Sequence, residues 1–263
     1  MSRIEETFAA LSRPALITFI TAGDPDFGRS MAVLKALPGA GADIIELGMP
    51  FTDPMADGPV IQAAGLRALK AGADMHQTLK MVQQFRLDNT TTPIVLMGYA
   101  NPVLQYGNEK FCADAASAGV DGLIIVDLPP EESETLENAA RKYGLDFIRL
   151  LTPTTDEARI PVVVKNASGF LYYVSVTGIT GAAKADPESI RPHIEQIRRH
   201  TKLPIAIGFG VRTPEDVKAL SSVGDAVVVG SAIVQTIEAN LKAGDVFDSV
   251  AAQVAALSSV LRQ

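Results

Sequence analysis

Short apolar runs recur along the chain, and between them apolar residues repeat every three or four positions. Each run is apolar at nearly every position, which is typical of strands buried on both faces. The stretch Glu131–Tyr143 shows the helical spacing, with Leu136, Ala139 and Ala140 on one face. Eight runs are predicted to be strands: Leu16–Thr21, Ile44–Leu47, Ile94–Met97, Leu123–Val126, Phe147–Leu150, Leu171–Val174, Ile205–Ile207 and Ala226–Val229. Strands that alternate with helices in this way indicate a parallel sheet.

Residues at the predicted helix boundaries support these assignments. Thr213-Pro214-Glu215-Asp216 offers an N-cap, a proline in the first turn and early acids, and Asp186-Pro187-Glu188 repeats the pattern. Gly144 and Gly224 follow helical stretches, where a left-handed closing residue is favoured. We therefore expect helices that begin at these caps and end at these glycines.

Eight strand–helix units in 263 residues match a closed (β/α)₈ TIM barrel in number and size. An open doubly wound sheet is the main alternative, but it would normally carry a G-x-G-x-x-G motif after its first strand. The residues there are Ala22-Gly23-Asp24-Pro25. We therefore predict one TIM-barrel domain over residues 1–263. Additional helices are predicted before the first strand and between the second and third, at Ile4–Leu11, Gly58–Ala71 and Met75–Leu87.

Composition narrows the class of protein. The chain has 23 Lys and Arg against 30 Asp and Glu, a net charge of −7, which argues against a nucleic-acid partner. The single cysteine, Cys112, excludes an intramolecular disulfide and a cysteine-cluster metal site. No apolar run is long enough to cross a membrane, and the first residues do not resemble a signal peptide. We expect a cytoplasmic protein that contacts neither nucleic acid nor membrane.

The ends of the seventh and eighth predicted strands are rich in small residues. Gly208-Phe209-Gly210 and Gly230-Ser231 would let several backbone N–H groups converge on an anion, and the start of a helix adds free donors. TIM barrels often bind phosphate at this position. Gly181, after the sixth strand, could close a third side of such a site. The alternative is that these glycines only make tight turns, but their occurrence at both strands favours a phosphate site.

Carboxyl groups cluster at the end of the second predicted strand. Glu46 lies within an otherwise apolar strand, where a lone carboxylate must be paired, protonated or functional. Asp57 lies on the following loop, and two carboxyl groups in different environments are suited to acid–base chemistry. An internal salt bridge is the structural alternative for Glu46. Asp53 and Asp127 could equally be residues that cap or brace loops.

Other catalytic groups are missing from the predicted strand ends. His76, His193 and His200 all fall in predicted helices or beside them, which disfavours a histidine-containing metal site. No lysine follows a strand where it could form a Schiff base. The residues thus indicate a carboxylate site with a phosphate anchor that needs neither a metal nor a cofactor in this chain.

The segment from Glu46 to Pro59, Glu-Leu-Gly-Met-Pro-Phe-Thr-Asp-Pro-Met-Ala-Asp-Gly-Pro, closely resembles the signature of the tryptophan synthase α subunit family. The likeness extends over essentially the whole chain. It includes Phe19–Pro25, Met97–Pro102, Val126–Pro130, Gly178–Gly181 and Gly208–Gly210. The resemblance implies a TIM barrel that cleaves indole-3-glycerol phosphate into indole and glyceraldehyde 3-phosphate.

The same resemblance implies roles for individual residues. Glu46 would be the acid–base residue and Asp57 the second catalytic carboxylate. The residues expected around the substrate are Phe19 and Met97 at the indole ring, Tyr172 and Thr180 at the border of the site, and Gly181, Gly210, Gly230 and Ser231 at the phosphate. The family works as an α₂β₂ complex, with pyridoxal phosphate only on the β subunit, which receives the indole.

Two positions depart from the family pattern. Thr52 stands where many members have serine, and this change keeps the hydroxyl group. Val176 stands where a common version has arginine, so loop-closing contacts of that arginine cannot be carried over.

Two other functions compete with this interpretation. Another phosphate-binding barrel, such as an isomerase, would share the glycines of the last strands but not the Glu46–Pro59 segment. A non-catalytic regulatory subunit would have no need of both Glu46 and Asp57.

Overall fold

The computed structural model describes residues 1–175, 186–208, 210–242 and 246–262. Its strands are parallel, and each is hydrogen-bonded to the next around a barrel in the order β5-β4-β3-β2-β1-β9-β8-β7-β6. The strands are β1 (Ala15–Thr21), β2 (Ile44–Gly48), β3 (Ile94–Gly98), β4 (Gly122–Ile125), β5 (Asp146–Phe147), β6 (Arg149–Leu151), β7 (Leu171–Val174), β8 (Ile205–Gly208) and β9 (Ala226–Val229). The strands at the two ends of this order, β5 and β6, are separated in sequence only by Ile148. They close the ring as one interrupted strand.

Helices surround the barrel on the outside. They are α1 (Arg3–Ala10), α2 (Phe27–Ala40), α3 (Pro59–Lys70), α4 (Met75–Arg86), α5 (Ala100–Tyr106), α6 (Asn108–Ala118), α7 (Glu134–Lys142), α8 (Ile160–Val164), α9 (Pro187–Arg198), α10 (Pro214–Leu220), α11 (Ser231–Ala239) and α12 (Val246–Ser259). A short 3₁₀ turn, Pro130–Glu132, precedes α7. This architecture confirms the predicted α/β TIM barrel with an extra N-terminal helix and additional helices.

Alternation along the strands divides the apolar core into two layers. Inside the barrel, Ile17, Ile44, Val95 and Tyr172 belong to one buried cluster. Between the barrel and the helices, a larger cluster contains the residues that point outward, such as Leu16 and Ile45. Because both faces of each strand are buried, near-continuous apolar runs were the correct signal for these strands.

Helix α1 covers the amino end of the barrel. Its Ile4 is fully buried in the inner cluster, and Phe8 packs against Phe170 with ring centroids 6.1 Å apart. Ser2 caps the helix and also donates to Asp146 at 2.7 Å. The opposite, carboxyl end is therefore the end that is open for a ligand.

Most predicted boundaries are confirmed, and two details are not. Thr213 and Asp216 form a capping box at the start of α10, and Gly144 has a left-handed φ of 72°. Gly224 does not adopt the left-handed conformation predicted for it. A glycine fits this position for another reason: there is no room for a side chain, because a Cβ added there would lie 2.8 Å from Ile207 Cγ1.

The fifth strand was predicted as Phe147–Leu150 without a break. In the structure it is interrupted at Ile148, whose N–H still donates to the Leu123 carbonyl at 2.9 Å. The interruption falls where pairing passes from β4 on one side to β7 on the other. On the second half of the strand Arg149 is buried and makes an ion pair with Glu137 of α7.

Candidate active site

Glu46 lies in the upper part of the barrel interior. It follows the inward-facing Ile44 by two residues on β2, and its register partners on the adjoining strands are Phe19 and Val95. Only 1% of Glu46 is exposed, and its Oε1 has no hydrogen-bond partner among the described residues. Burial raises the pKa of this carboxyl group to about 8. Glu46 is therefore protonated at neutral pH. Within the described part of the chain, it does not form the internal salt bridge that was the alternative interpretation from the sequence.

Asp57 lies on the loop between β2 and α3, where backbone contacts fix its position. Its N–H donates to the Pro54 carbonyl at 3.1 Å, and its own carbonyl accepts from Gln62 Nε2 at 2.8 Å. Burial raises the pKa of the Asp57 carboxyl to about 6, and a hydrogen bond from Tyr99 acts in the opposite direction. Asp57 is thus largely ionised at pH 7, while Glu46 is largely protonated.

A pocket that opens to solvent is lined by Asp57, whereas Glu46 is not among its lining residues. Phe19, Met97 and Asp57 line it together with Met49, Phe51 and Tyr99, among other residues. The lining is mainly apolar and aromatic, with few polar groups, which is the usual composition of a site for a small organic ligand. Two of the residues predicted to contact an indole ring, Phe19 and Met97, are therefore at the same pocket as Asp57.

Glycines at the strand ends make room for the aromatic side chains of the site. A Cβ on Gly48 would lie 2.6 Å from Phe19 Cζ, and one on Gly208 would lie 2.3 Å from the Tyr172 hydroxyl. Tyr172 belongs to the inner cluster and is close enough to Glu46 for the carboxylate charge to raise its pKa, in addition to the larger effect of burial. Tyr172 therefore lies close to Glu46.

The described part of the predicted phosphate site lies at the ends of β8 and β9, which are neighbours in the barrel. Gly210 has a φ of 80°, and Gly230 is the N-cap of α11 without a side-chain capping bond. The first turn of α11, starting at Ser231, therefore keeps backbone N–H groups available to an anion. A Cβ on Gly230 would lie 3.3 Å from Phe19 Cβ, so this turn adjoins the pocket.

Some predicted residues fall outside the described ranges. Thr180 and Gly181, expected at the border of the site and at the phosphate, are among them, as are Val176 and Phe209. Their predicted roles stay predictions.

The other candidates have structural positions. Asp127 Oδ1 accepts from the Ala100 N–H at 2.7 Å, so it caps the start of α5, and Asp53 is exposed and bonded to Thr52. His76 and His193 lie on helices α4 and α9, and His200 follows α9. Within the described ranges, no three His, Cys, Asp or Glu side chains are grouped so that they could hold a metal ion. In the same ranges no helix is long and apolar enough to span a membrane.

Sequence reasoning gave no role to Tyr99 or Thr21, and both line the pocket. The Tyr99 hydroxyl accepts from the Ala56 N–H at 3.1 Å and hydrogen-bonds to Asp57, so it braces the loop after β2. Thr21 is buried, with its Oγ1 unpartnered in the described chain. Thr21 is the last residue of β1, and Tyr99 directly follows β3. Their positions at the carboxyl ends of strands were the sequence signal that could have identified them.

The fold and the site define a TIM-barrel protein with a pocket at the carboxyl ends of its strands and two buried carboxyl groups of different pKa. A family model described as tryptophan synthase alpha chain matches residues 6–260. The chain belongs to this family. It is accordingly a carbon–carbon lyase of tryptophan biosynthesis, which cleaves indole-3-glycerol phosphate into indole and glyceraldehyde 3-phosphate.

Solved structures agree with this assignment. The tryptophan synthase subunit alpha of Legionella pneumophila str. Paris is 37% identical, with a TM-score of 0.92 over 100% of this chain and 99% of the other. A protein of Aquifex aeolicus VF5 is 36% identical, with a TM-score of 0.91 and full coverage of both chains. A tryptophan synthase of M. tuberculosis in an aminoacrylate-bound form is 32% identical, with a TM-score of 0.88 and full coverage of both chains.

Proposed function

We propose that Glu46 and Asp57 carry the chemistry of this cleavage, with Glu46 as the acid and base and Asp57 as the second catalytic carboxylate. One observation carries the assignment: Glu46 is buried without a partner for Oε1 in the described chain, and its pKa is raised to about 8. A carboxyl group in this state can donate a proton near neutral pH and then accept one.

The reaction is a retro-aldol cleavage, and its difficulty lies at carbon 3 of the indole ring. Glu46 donates its proton to this carbon, which turns the ring into an indoleninium ion that can accept electrons. The Glu46 carboxylate then takes the proton of the hydroxyl group on the adjoining carbon of the glycerol chain. The O–H electrons form the aldehyde, and the electrons of the broken C–C bond return to the ring, which leaves indole and glyceraldehyde 3-phosphate.

Asp57 stabilises the charged intermediate. Its ionised carboxylate accepts a hydrogen bond from the indole N–H and offsets the positive charge that develops on the ring. The hydrogen bond from Tyr99 and the backbone contacts of the loop hold Asp57 in place for this task. Because Asp57 is ionised where Glu46 is protonated, both groups are in their active forms over the same pH range.

Binding at the two ends of the substrate fixes its position. In this proposal Phe19 and Met97 contact the indole ring, Tyr172 and Thr180 border the reacting atoms, and the phosphate is held by backbone at Gly181, Gly210, Gly230 and Ser231. Binding energy from the phosphate, remote from the broken bond, is then available to orient the ring toward Glu46.

Tryptophan synthase alpha chains work in a complex with a β subunit, and we propose the same α₂β₂ assembly for this chain, with pyridoxal phosphate only on β. The indole released here would pass to that subunit. We propose that residues 1–263 act as one domain in this complex, in the cytoplasm, where the family's biosynthetic reaction supplies tryptophan.

The experiment is release of indole from indole-3-glycerol phosphate by the purified chain, compared with its Glu46→Gln and Asp57→Asn variants. Each variant keeps the shape of the side chain but loses its acid–base function. We expect kcat to fall by about 10²–10⁴-fold in each, the usual range for positioned acid–base groups.

A control on the same loop is Asp53→Asn, because Asp53 is exposed and does not itself line the pocket. It should release indole at the rate of the unaltered protein. Near-normal activity of either Glu46→Gln or Asp57→Asn would show that the corresponding role is wrong.

A further inference from the structure

The guanidinium group of Arg67 connects three elements that start at the carboxyl end of the barrel. Arg67 Nε and Nη2 bond to the two carboxylate oxygens of Asp24 at 2.8 and 3.0 Å. Arg67 Nη1 also bonds to Glu238 Oε1 at 2.9 Å. The Asp24 side chain is fully buried, whereas that of Glu238 is 48% exposed. Arg67 thus joins the loop after β1, helix α3 and helix α11.

The two helices begin at the two ends of the proposed substrate site. Helix α3 starts at Pro59, two residues after Asp57, and α11 starts at Ser231 in the phosphate site. Arg67 and Glu238 each lie about two turns into their helices, about 12 Å from the helix start. The contact between Arg67 and Glu238 therefore links the helix that follows the Asp57 loop to the helix that begins at Ser231.

Nearer the site, the same helices pack together through apolar side chains. Ala64 of α3 and Val234 of α11 are fully buried in one cluster with Phe19, against which Val60 and Ile61 also pack. Apolar contacts are not directional, so they bring the helices together without fixing how far one slides along the other. The bonds of Arg67 are directional: its bidentate fork holds Asp24, and from that fixed position its Nη1 bonds to Glu238 of α11.

We propose that Arg67 is a positioning residue that sets the separation between Asp57 and the phosphate site, and with it the length of substrate that the enzyme accepts. This inference rests on the proposed function, since it needs the ring at Asp57 and the phosphate at α11. Arg67 does not line the pocket described above. It acts through the helices and not on the substrate itself.

The consequence is a preference for one chain length between ring and phosphate. Indole-3-glycerol phosphate has three carbons there, so an indole joined to phosphate by a three-carbon alkyl chain should fit, and a four-carbon chain should not. A rigid site discriminates against one extra methylene by about tenfold or more. A site whose two ends can shift relative to each other loses this discrimination.

The experiment measures inhibition of indole release by these two indole-alkyl phosphates. The variants are Glu238→Ala, which removes only the half-exposed bond, and the double variant Asp24→Asn with Arg67→Met, which removes the buried ion pair without leaving a buried charge. We expect the unaltered protein to prefer the three-carbon inhibitor by about tenfold or more. The preference should fall to about twofold in the variants, and kcat/KM for the substrate should fall by about 10²-fold in the double variant.

A matched control is the double variant Asp43→Asn with Arg13→Met. It removes a similar bidentate pair, with bonds of 2.8 and 2.9 Å, before the amino ends of β1 and β2. The control should keep the preference for three carbons. An unchanged ratio in the Arg67 and Glu238 variants, or an equal loss of affinity for both inhibitors, would overturn the positioning role. If the unaltered protein releases no indole, the proposed function itself fails, which is a separate result.

Discussion

At the level of single residues, Glu46 differs from other buried carboxyl groups in how its oxygens are satisfied. Asp24 is paired with Arg67, Asp121 with Arg86, and Glu137 with Arg149. Glu46 has no such partner in the described chain, and ionising it inside the barrel would cost several kcal/mol. The folded protein therefore keeps Glu46 protonated, and this cost is what makes it an acid at neutral pH.

The raised pKa values predict a bell-shaped pH dependence of kcat/KM. Cleavage needs Asp57 ionised, which is true above about pH 6, and Glu46 protonated, which is true below about pH 8. Activity should fall about tenfold per pH unit outside these limits. Initial rates of indole release from pH 5 to 9 measure this profile. In Asp57→Asn the acid limb should disappear from the residual activity, whereas a rate that keeps rising from pH 8 to 9 would contradict the assignment to Glu46.

The sequence identified the chemistry of Glu46 but not its surroundings. A carboxyl group within an apolar strand had to be paired, protonated or functional, and the structure excludes pairing in the described chain. Tyr99 could not be assigned from the sequence, because its contact with Asp57 depends on how the loop after β2 folds back toward β3. The fit of Phe19 over Gly48 likewise depends on the register between β1 and β2.

At the level of elements, aspartates that precede strands brace the amino end of the barrel. Asp43, Asp121 and Asp225 each accept a backbone N–H from the neighbouring strand start, at Leu16, Ile94 and Ile205 respectively, over 2.7–2.8 Å. Each of the three carboxylates also pairs with arginine. These contacts tie adjacent strands together at the amino end of the barrel.

Asp121 is the strongest of these braces, because it pairs with both Arg3 and Arg86. Asp121→Ala should lower the free energy of unfolding by about 3–5 kcal/mol, since it leaves the buried Arg86 without its carboxylate. Urea unfolding followed by circular dichroism measures the change. As a control, Glu109→Ala removes an ion pair between exposed groups and should leave the midpoint unchanged. A midpoint for Asp121→Ala equal to that of the control would disprove the brace.

The order of the elements could be predicted well, because continuous apolar runs are specific for strands buried on both faces. The break in the fifth strand could not, since it falls where pairing passes from β4 to β7, and that change depends on strands that are distant in sequence. The aspartate braces were also missed. The sequence signal for these aspartates is local, since each is an acid just before an apolar run. The backbone N–H groups and arginines that they bind lie on other strand–helix units of the barrel.

At the level of the whole molecule, the catalytic loop is exposed where a partner could press on it. Met55 is 75% exposed although it is apolar, and it lies two residues before Asp57. We expect a β subunit to raise kcat for indole release by at least about fivefold, through its contact with this loop. Titration of the chain with the β subunit at saturating substrate measures the effect.

Met55→Ser should reduce this stimulation while the basal rate is retained. The matched control is Leu87→Ser, since Leu87 is 80% exposed and lies at the end of α4, away from the catalytic loop. Equal stimulation of both variants would mean that the partner acts elsewhere, and no stimulation of the unaltered chain would reject the coupling.

The pairing of β1 with β9 has a consequence for biosynthesis on the ribosome. Ala15 to Thr18 pair with residues Ala226 to Val229, which are translated more than 200 residues later. Helix α12, translated later still, packs on α2, where a Cβ on Gly41 would lie 2.3 Å from Ser258 Oγ. One edge of β1 therefore stays unpaired until translation is nearly complete, so the nascent chain needs protection there from pairing with other chains.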